Sequence, residues 1–207
     1  MNVLDQVIPS FIVLIASLSF HEAAHAWMAN RLGDPTARQL GRLTLNPVAH
    51  VDLIGTVLFP LVAMFTGVPI IGWAKPVPVN PQYFPHPRQG FALVALAGPV
   101  SNLILATGAA IVWHLIPSSG GIAALPYLPS IVLQFVVINV LLAVFNMIPV
   151  PPLDGGNVLM GLLPVEGARL VNTLRPFGFV ILYVLMFSGV LMWLTMPIRN
   201  LLIEWLL

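Results

Sequence analysis

Apolar residues come in long runs separated by short polar stretches rich in glycine and proline. That pattern predicts helices long enough to cross a bilayer. Val3 to Asn30 reads as one long helix ending near Gly33-Asp34-Pro35. Gly90 to Ile116, Ser130 to Ile148 and Phe177 to Met196 can each span a hydrocarbon core of about 30 Å. Arg38 to His50 is polar, and Val51 to Val68 is apolar but interrupted by Gly55, Pro60 and Gly67. Pro69 to Pro87 holds too much proline for a continuous helix and carries β-type residues at Ile70, Ile71, Val77 and Val79. Ile198 to Leu207 reads as a short apolar tail at an interface, anchored by Arg199, Glu204 and Trp205.

Composition settles the solvent. Hydrophobic residues make up 58% of the 207 and charged residues 7%, against about 25% charged in a soluble domain. Such a chain cannot cover a water-facing surface. The fold class expected is an all-α polytopic membrane protein, with about four full transmembrane helices, a re-entrant hairpin and short β-like interfacial segments. Eight Lys/Arg against seven Asp/Glu leave a net charge of +1. That provides no basic face for nucleic acid. The absence of cysteine excludes disulfides, thiolate zinc sites and a cysteine nucleophile. The apolar run Ile8 to Phe20 is not a signal peptide: the first basic residue is Arg31, and the run continues into His21 and Glu22 instead of a cleavage site. With no internal repeat, residues 1–207 read as one membrane-embedded domain, its core about 1–160 and its C-terminal helix and tail 177–207.

Charge also sets orientation. Arg31, Arg38, Arg42, Lys75 and Arg88 lie between the first two strong helices, and Arg169 and Arg175 follow the third, whereas Pro117 to Pro129 has no charge. The positive-inside rule puts the N-terminus outside, residues 31–89 and 150–176 inside, and 117–129 outside. Val51 to Val68 is then flanked by cytoplasmic residues on both sides and is expected to be re-entrant, covered by protein or water at its break.

The chemistry concentrates in His21-Glu22-Ala23-Ala24-His25. Positions i and i+4 of a helix share a face about 6 Å apart, so both imidazoles can bind one metal. Glu22 lies beside that face, where it can take a proton from water on the metal. Ionisable residues within a membrane helix are functional by default; the competing reading is a helix that has already left the bilayer. Catalytic zinc takes three protein ligands, and the best third candidate is Asp154. It stands in Pro149-Val150-Pro151-Pro152-Leu153-Asp154-Gly155-Gly156, where prolines and glycines let a carboxylate turn back toward the metal. Both stretches sit at the cytoplasmic ends of parallel out-to-in helices, and one zinc ion with ionised Asp154 and Glu22 sums to neutral. An interfacial Asp-Gly turn is the bland alternative.

With these residues in view, the sequence resembles the site-2 protease family of intramembrane zinc metalloproteases, in its compact bacterial and archaeal branch. The resemblance rests on HEAAH, on Gly98-Pro99-x-x-Asn102, and on Asn146-x-x-Pro149-x-Pro151-x-x-Asp154-Gly155, in that order. Asp34-Pro35, Leu43-Thr44-Leu45-Asn46-Pro47 and Gly72-Trp73-Ala74-Lys75-Pro76 agree with it. It implies zinc on His21, His25 and Asp154, Glu22 as general base, and Asn102 near the metal holding substrate or the developing oxyanion. It also implies a single-pass transmembrane substrate, unwound near the cytoplasmic side of the plasma membrane. Neither a PDZ-like insertion between the helices nor a nucleotide-binding regulatory domain is expected, so gating is expected from the core or from an unidentified adaptor. An inactive relative acting as a membrane binding protein, or a small secondary transporter, are the alternatives.

Other residues carry less. The stretches near Leu40 to Leu45 and Ile70 to Val79 can offer a sheet edge to an extended substrate, with Pro76 and Pro78 suiting only an edge, or can be plain loops. His50 and Asp52 read either as neighbours of the metal site or as solvated loop residues. His86 reads as a loop residue, His114 as an interfacial partner of Trp113, and Asn139 as interhelical glue.

Overall fold

The computed structural model describes residues 3–67, 71–116 and 127–207; Ile70 and most of the Pro117 to Pro129 loop lie outside the described residues. The chain begins with α1 (Val3–Arg31), whose 29 residues extend about 43 Å at 1.5 Å per residue. A short α2 (Thr36–Gln39) follows. Next come a π-helical turn over Leu53–Leu58 and α3 (Phe59–Thr66). Helix α4 (Pro87–Leu115) is followed by α5 (Leu128–Asn146). The C-terminal part holds α6 (Asp154–Leu162), α7 (Val165–Leu174), α8 (Gly178–Phe187) and α9 (Val190–Leu206).

Four segments are long and apolar enough to cross a membrane: Val7–Arg31, Pro87–Leu115, Leu128–Asn146 and Val165–Phe187. The first three match the expected spans to within a few residues. The fourth does not. The expected span Phe177 to Met196 is broken at Ser188-Gly189, where Gly189 takes φ 77° and starts α9, a left-handed geometry that only glycine adopts readily. By length and composition the fourth apolar window falls at Val165–Phe187, where α7 joins α8 through a short 3-10 turn at Arg175–Phe177, but Gly178 and Leu182 both stay beside the C-terminal end of α5, at Pro151, Ile148 and Leu153. The Ile198 to Leu207 stretch is likewise not a separate interfacial tail. It is the second half of α9, which packs along α5, and Leu206 is buried with Ala106, Ala110, Val136 and Val140. His114 Nε2–H donates to the Leu206 carbonyl at 3.0 Å, tying the end of α9 to the end of α4.

The core is the seam where α4 meets α1 and α5, the closest-packed set of helices. Small residues on α4, among them Gly90, Ala95, Gly98, Ala106 and Ala110, are buried there. Within a bilayer, where apolar side chains gain little from leaving lipid, such small residues let backbones approach and pack by dispersion.

The stretch after Asp52 turns back on itself. The Trp73 amide donates to the Gly55 carbonyl at 3.1 Å, and the Trp73 ring lies where a Gly55 Cβ would be, 2.5 Å away. Trp73 therefore lies beside the turn that begins at Leu53. Trp73 then packs edge-on against Phe59 and Phe179, with centroids 5.2 and 5.6 Å apart, which docks the hairpin on α8. No strand forms among the described residues. Residues 71–80 form neither helix nor strand and bond to the preceding loop (Lys75 N–H to His50 C=O, 2.8 Å), so the β-like segments form no ladder among the described residues.

Candidate metal centre

His21 and His25 stand one helical turn apart on α1, and their rings meet edge to face with centroids 4.6 Å apart. Asp154 opens α6 just after the proline-rich turn that ends α5. Gly155 makes that turn fit, since a Cβ there would run into the Met147 carbonyl. The result brings a carboxylate to the two imidazoles: His21 Nε2 lies 3.0 Å and His25 Nε2 3.4 Å from Asp154 Oδ2. One ligand atom from each residue falls within 4.8 Å of the others, the one such group among the described residues.

The protonation of this group follows from the hydrogen bonds behind it. Asn139 Nδ2 donates to the Phe135 carbonyl (2.9 Å) and to Ser17 Oγ (2.9 Å). A carbonyl can only accept, so Asn139 presents its Oδ1 to Asn102, whose Nδ2 donates to it at 2.8 Å and to the Ser17 carbonyl at 3.4 Å. Asn102 therefore faces His21 with its Oδ1, and His21 Nδ1–H donates to it at 2.6 Å. On the other ring, His25 Nδ1–H donates to the Val94 carbonyl at 2.7 Å. Pro99, inside α4, has no N–H for the helix ladder, so the Ala95 carbonyl one turn before it lacks its helical donor.

Both imidazoles thus carry a hydrogen on Nδ1, and in neutral rings a lone pair on Nε2. Those lone pairs point at Asp154 Oδ2, which is buried and accepts no hydrogen bond. Three acceptor atoms face one another across a space that a cation would reconcile. A buried charge without a partner is costly, and metal-binding histidines usually give their second N–H to a carbonyl or carboxylate oxygen in this way. Two imidazoles and one carboxylate suit zinc. The donor set, the orphaned oxygen and the outer hydrogen bonds all fit that ion.

Gly98 permits the approach. A Cβ there would lie 2.5 Å from His21 Cε1, His25 Cε1 and His25 Nε2, closer than carbon atoms pack. Gly98→Ala should therefore push the imidazoles apart and sharply lower the zinc bound per chain, measured by metal analysis of the purified protein.

Glu22 is buried at 8% exposure beside His21, with no hydrogen bond among the described residues. Asn102, expected near the metal, does lie there and is fully buried. Its amide nitrogen, however, is spent on Asn139 and Ser17. Sequence reading found both motifs but missed Ser17, although it stands one turn before His21 on the same face. It also missed the Val94 carbonyl, which no side-chain pattern announces. His50 and Asp52 are not part of the site. His50 Nε2–H donates to the Thr44 carbonyl at 2.8 Å, and Asp52 Oδ1 accepts from the amides of Ile54 and Gly55, capping the turn at Leu53. His86 is an exposed residue just before α4.

Comparison with known proteins agrees with the geometry. The model for "Peptidase family M50" matches residues 116–189, which include Asp154. "Putative zinc metalloprotease YwhC" of Bacillus subtilis is 39% identical over 193 residues, covering 91% of this chain and 84% of the relative. Two proteins given the same description with the name Rip2 are similar as well. The one from Mycolicibacterium smegmatis is 30% identical over 87% of this chain and 69% of its own length. The one from Mycobacterium tuberculosis is 32% identical over 89% and 73%. No solved structure matches significantly. A buried His-His-Asp group among helices able to span a membrane, in a chain this similar to zinc metalloproteases over most of its length, places the protein in peptidase family M50, the site-2 protease family of membrane zinc metalloproteases.

Proposed function

We propose that this chain is an intramembrane endopeptidase that cuts peptide bonds within the transmembrane segments of single-pass membrane proteins, using one zinc ion held by His21, His25 and Asp154. The observation that carries the reading is the convergence of three lone-pair atoms on one buried point. When bound there, zinc supplies Lewis acidity, lowering the pKa of water and polarising a carbonyl. Glu22 accepts the proton of the attacking water and returns it to the leaving amine. Asn102 is a positioning residue: it fixes the His21 ring and tautomer from behind, with Asn139 and Ser17 holding it in turn.

A helical peptide bond is shielded by its own hydrogen bonds, so the substrate must be extended at the cut. Residues 71–80 form neither helix nor strand, and the amides of Val77 and Val79 make no backbone hydrogen bond among the described residues, which leaves them open to an added strand. The site lies toward the end of the bundle where basic residues collect. His25 is less than two turns from Arg31 on α1, and the short α6 runs from Asp154 to Gly161, which packs on Ala92 beside the Arg88 carbonyl. By the positive-inside rule that end faces the cytoplasm, in the plasma membrane, and residues 1–207 act as one domain.

The test is cleavage of a single-pass model substrate by the purified protein in vesicles. A cut inside the transmembrane segment, lost on chelation and restored by zinc, is expected. Cleavage indifferent to chelation, or confined to the water-exposed flanks, would overturn the reading. Asn102→Ala separates positioning from contact with the substrate. Zinc affinity should fall by roughly 10–100-fold, and kcat should recover at saturating zinc; a kcat that stays low would assign Asn102 to the reacting carbonyl.

A further inference from the structure

The N-terminal turns of α4, with α6 and α7, enclose an open cavity of about 380 Å³, within the range of about 300–1,000 Å³ that ligand sites occupy. Its walls are largely apolar, with Phe91, Met160, Val165 and Ala168, and Arg88 and Arg169 also line it. Neither arginine meets a carboxylate, since the ion pairs among the described residues involve only His21, His25 and Asp154. Arg88 Nη1 donates to the Leu163 carbonyl at 3.3 Å, which leaves the rest of its guanidinium available. Arg169 is exposed and makes no hydrogen bond among the described residues. Arg175 adds a third positive charge, donating from Nη2 to Oδ1 of the cavity residue Asn157 at 2.8 Å. Glu166 is the one acid on α7 and stays out of ion-pair range of all three. Leu162 and Leu170 beside the cavity are 78% and 67% exposed, a surface suited to lipid and not to water.

We propose that this cavity seats an anionic phospholipid, with an acyl chain between Phe91, Met160 and Ala168 and its phosphate on Arg88 and Arg169. Arg88 stands at the basic end of the long apolar helix α4, the depth of the headgroups, and Arg169 lines the same cavity. Arginine's planar fork matches a phosphate oxygen pair, and basic pockets between helices at that level recognise anionic headgroups. The occupied cavity braces α6 against α4, and α6 carries Asp154 at its first position.

The inference does not depend on the peptidase reading, because lipid retention is its readout. The full chain in detergent is offered phosphatidylglycerol and phosphatidylcholine with the same acyl chains, and retained lipid is counted by native mass spectrometry. Phosphatidylglycerol should be retained roughly tenfold or more over phosphatidylcholine. Changing Arg88→Gln and Arg169→Gln together should abolish that preference. Ala168→Phe, which fills the cavity with the charges intact, should reduce retention of both lipids. Helical circular dichroism confirms that the variants fold, and either variant alone is sufficient to test the proposal. Equal retention of the two lipids, or retention unchanged in the folded variants, overturns it. Complete displacement by inorganic phosphate alone would also overturn it, by reducing the site to an anion hole without a lipid seat.

Discussion

Glu22→Gln should slow cleavage of a transmembrane substrate by about 10²–10⁴-fold, the range a positioned general base supplies, while zinc remains at one per chain. The two halves of this expectation have different origins. Metal retention follows because Glu22 makes no hydrogen bond to His21, His25 or Asp154, and because the rings are held from behind by Asn102 and Val94. The rate loss follows because glutamine fills the same buried space but cannot accept a proton from water. Metal analysis and a cleavage assay on one preparation check both. Undiminished cleavage in the variant would remove Glu22 from the chemistry, and loss of zinc would make it part of the metal's support.

Asp154→Asn should do the reverse. Removing a group behind a ligand costs roughly 10–100-fold in metal affinity, and removing the charge of a direct ligand should cost more than that. Asp154 Oδ2 lies within 3.4 Å of both Nε2 atoms, and no second carboxylate joins the group among the described residues. The variant should purify with little zinc and lose activity in proportion, and excess zinc should restore part of it, which excess zinc cannot do for Glu22→Gln. Calorimetry gives an independent measure. Zinc binding to the folded chain raises Tm by mass action, and that rise should largely disappear in Asp154→Asn. An unchanged zinc stoichiometry would mean that the metal sits elsewhere.

Much of this site was legible before any coordinates, for a local reason. The i, i+4 spacing of His21 and His25 needs only a helix, and the apolar flanks supplied one. Asp154 was legible because Pro149-Val150-Pro151-Pro152 and Gly155-Gly156 announce where α5 must stop. What escaped depended on partners distant in the chain. An amide side chain carries both a donor and an acceptor, so nothing in Asn102 itself says whether its nitrogen meets a substrate or Asn139. Hydropathy missed the break at Ser188-Gly189 because both sides of it are equally apolar, and an average over a window cannot register one left-handed glycine. It also passed over Val165–Leu174, whose charged residues made it read as loop. The stretch 71–80 is non-helical as its prolines require, but a ladder needs a second strand, and proline content cannot reveal whether one exists.

The amide chain running from Ser17 through Asn139 and Asn102 to His21 bolts three long helices together. Sliding any of them would break several bonds at once, in a medium with no water to replace them. Helix α8 and the Trp73 ring lack such rivets and lean on the rest of the chain through ring stacking and aliphatic contact. Variants that loosen those contacts should leave the zinc undisturbed, since none of them belongs to the amide chain behind His21.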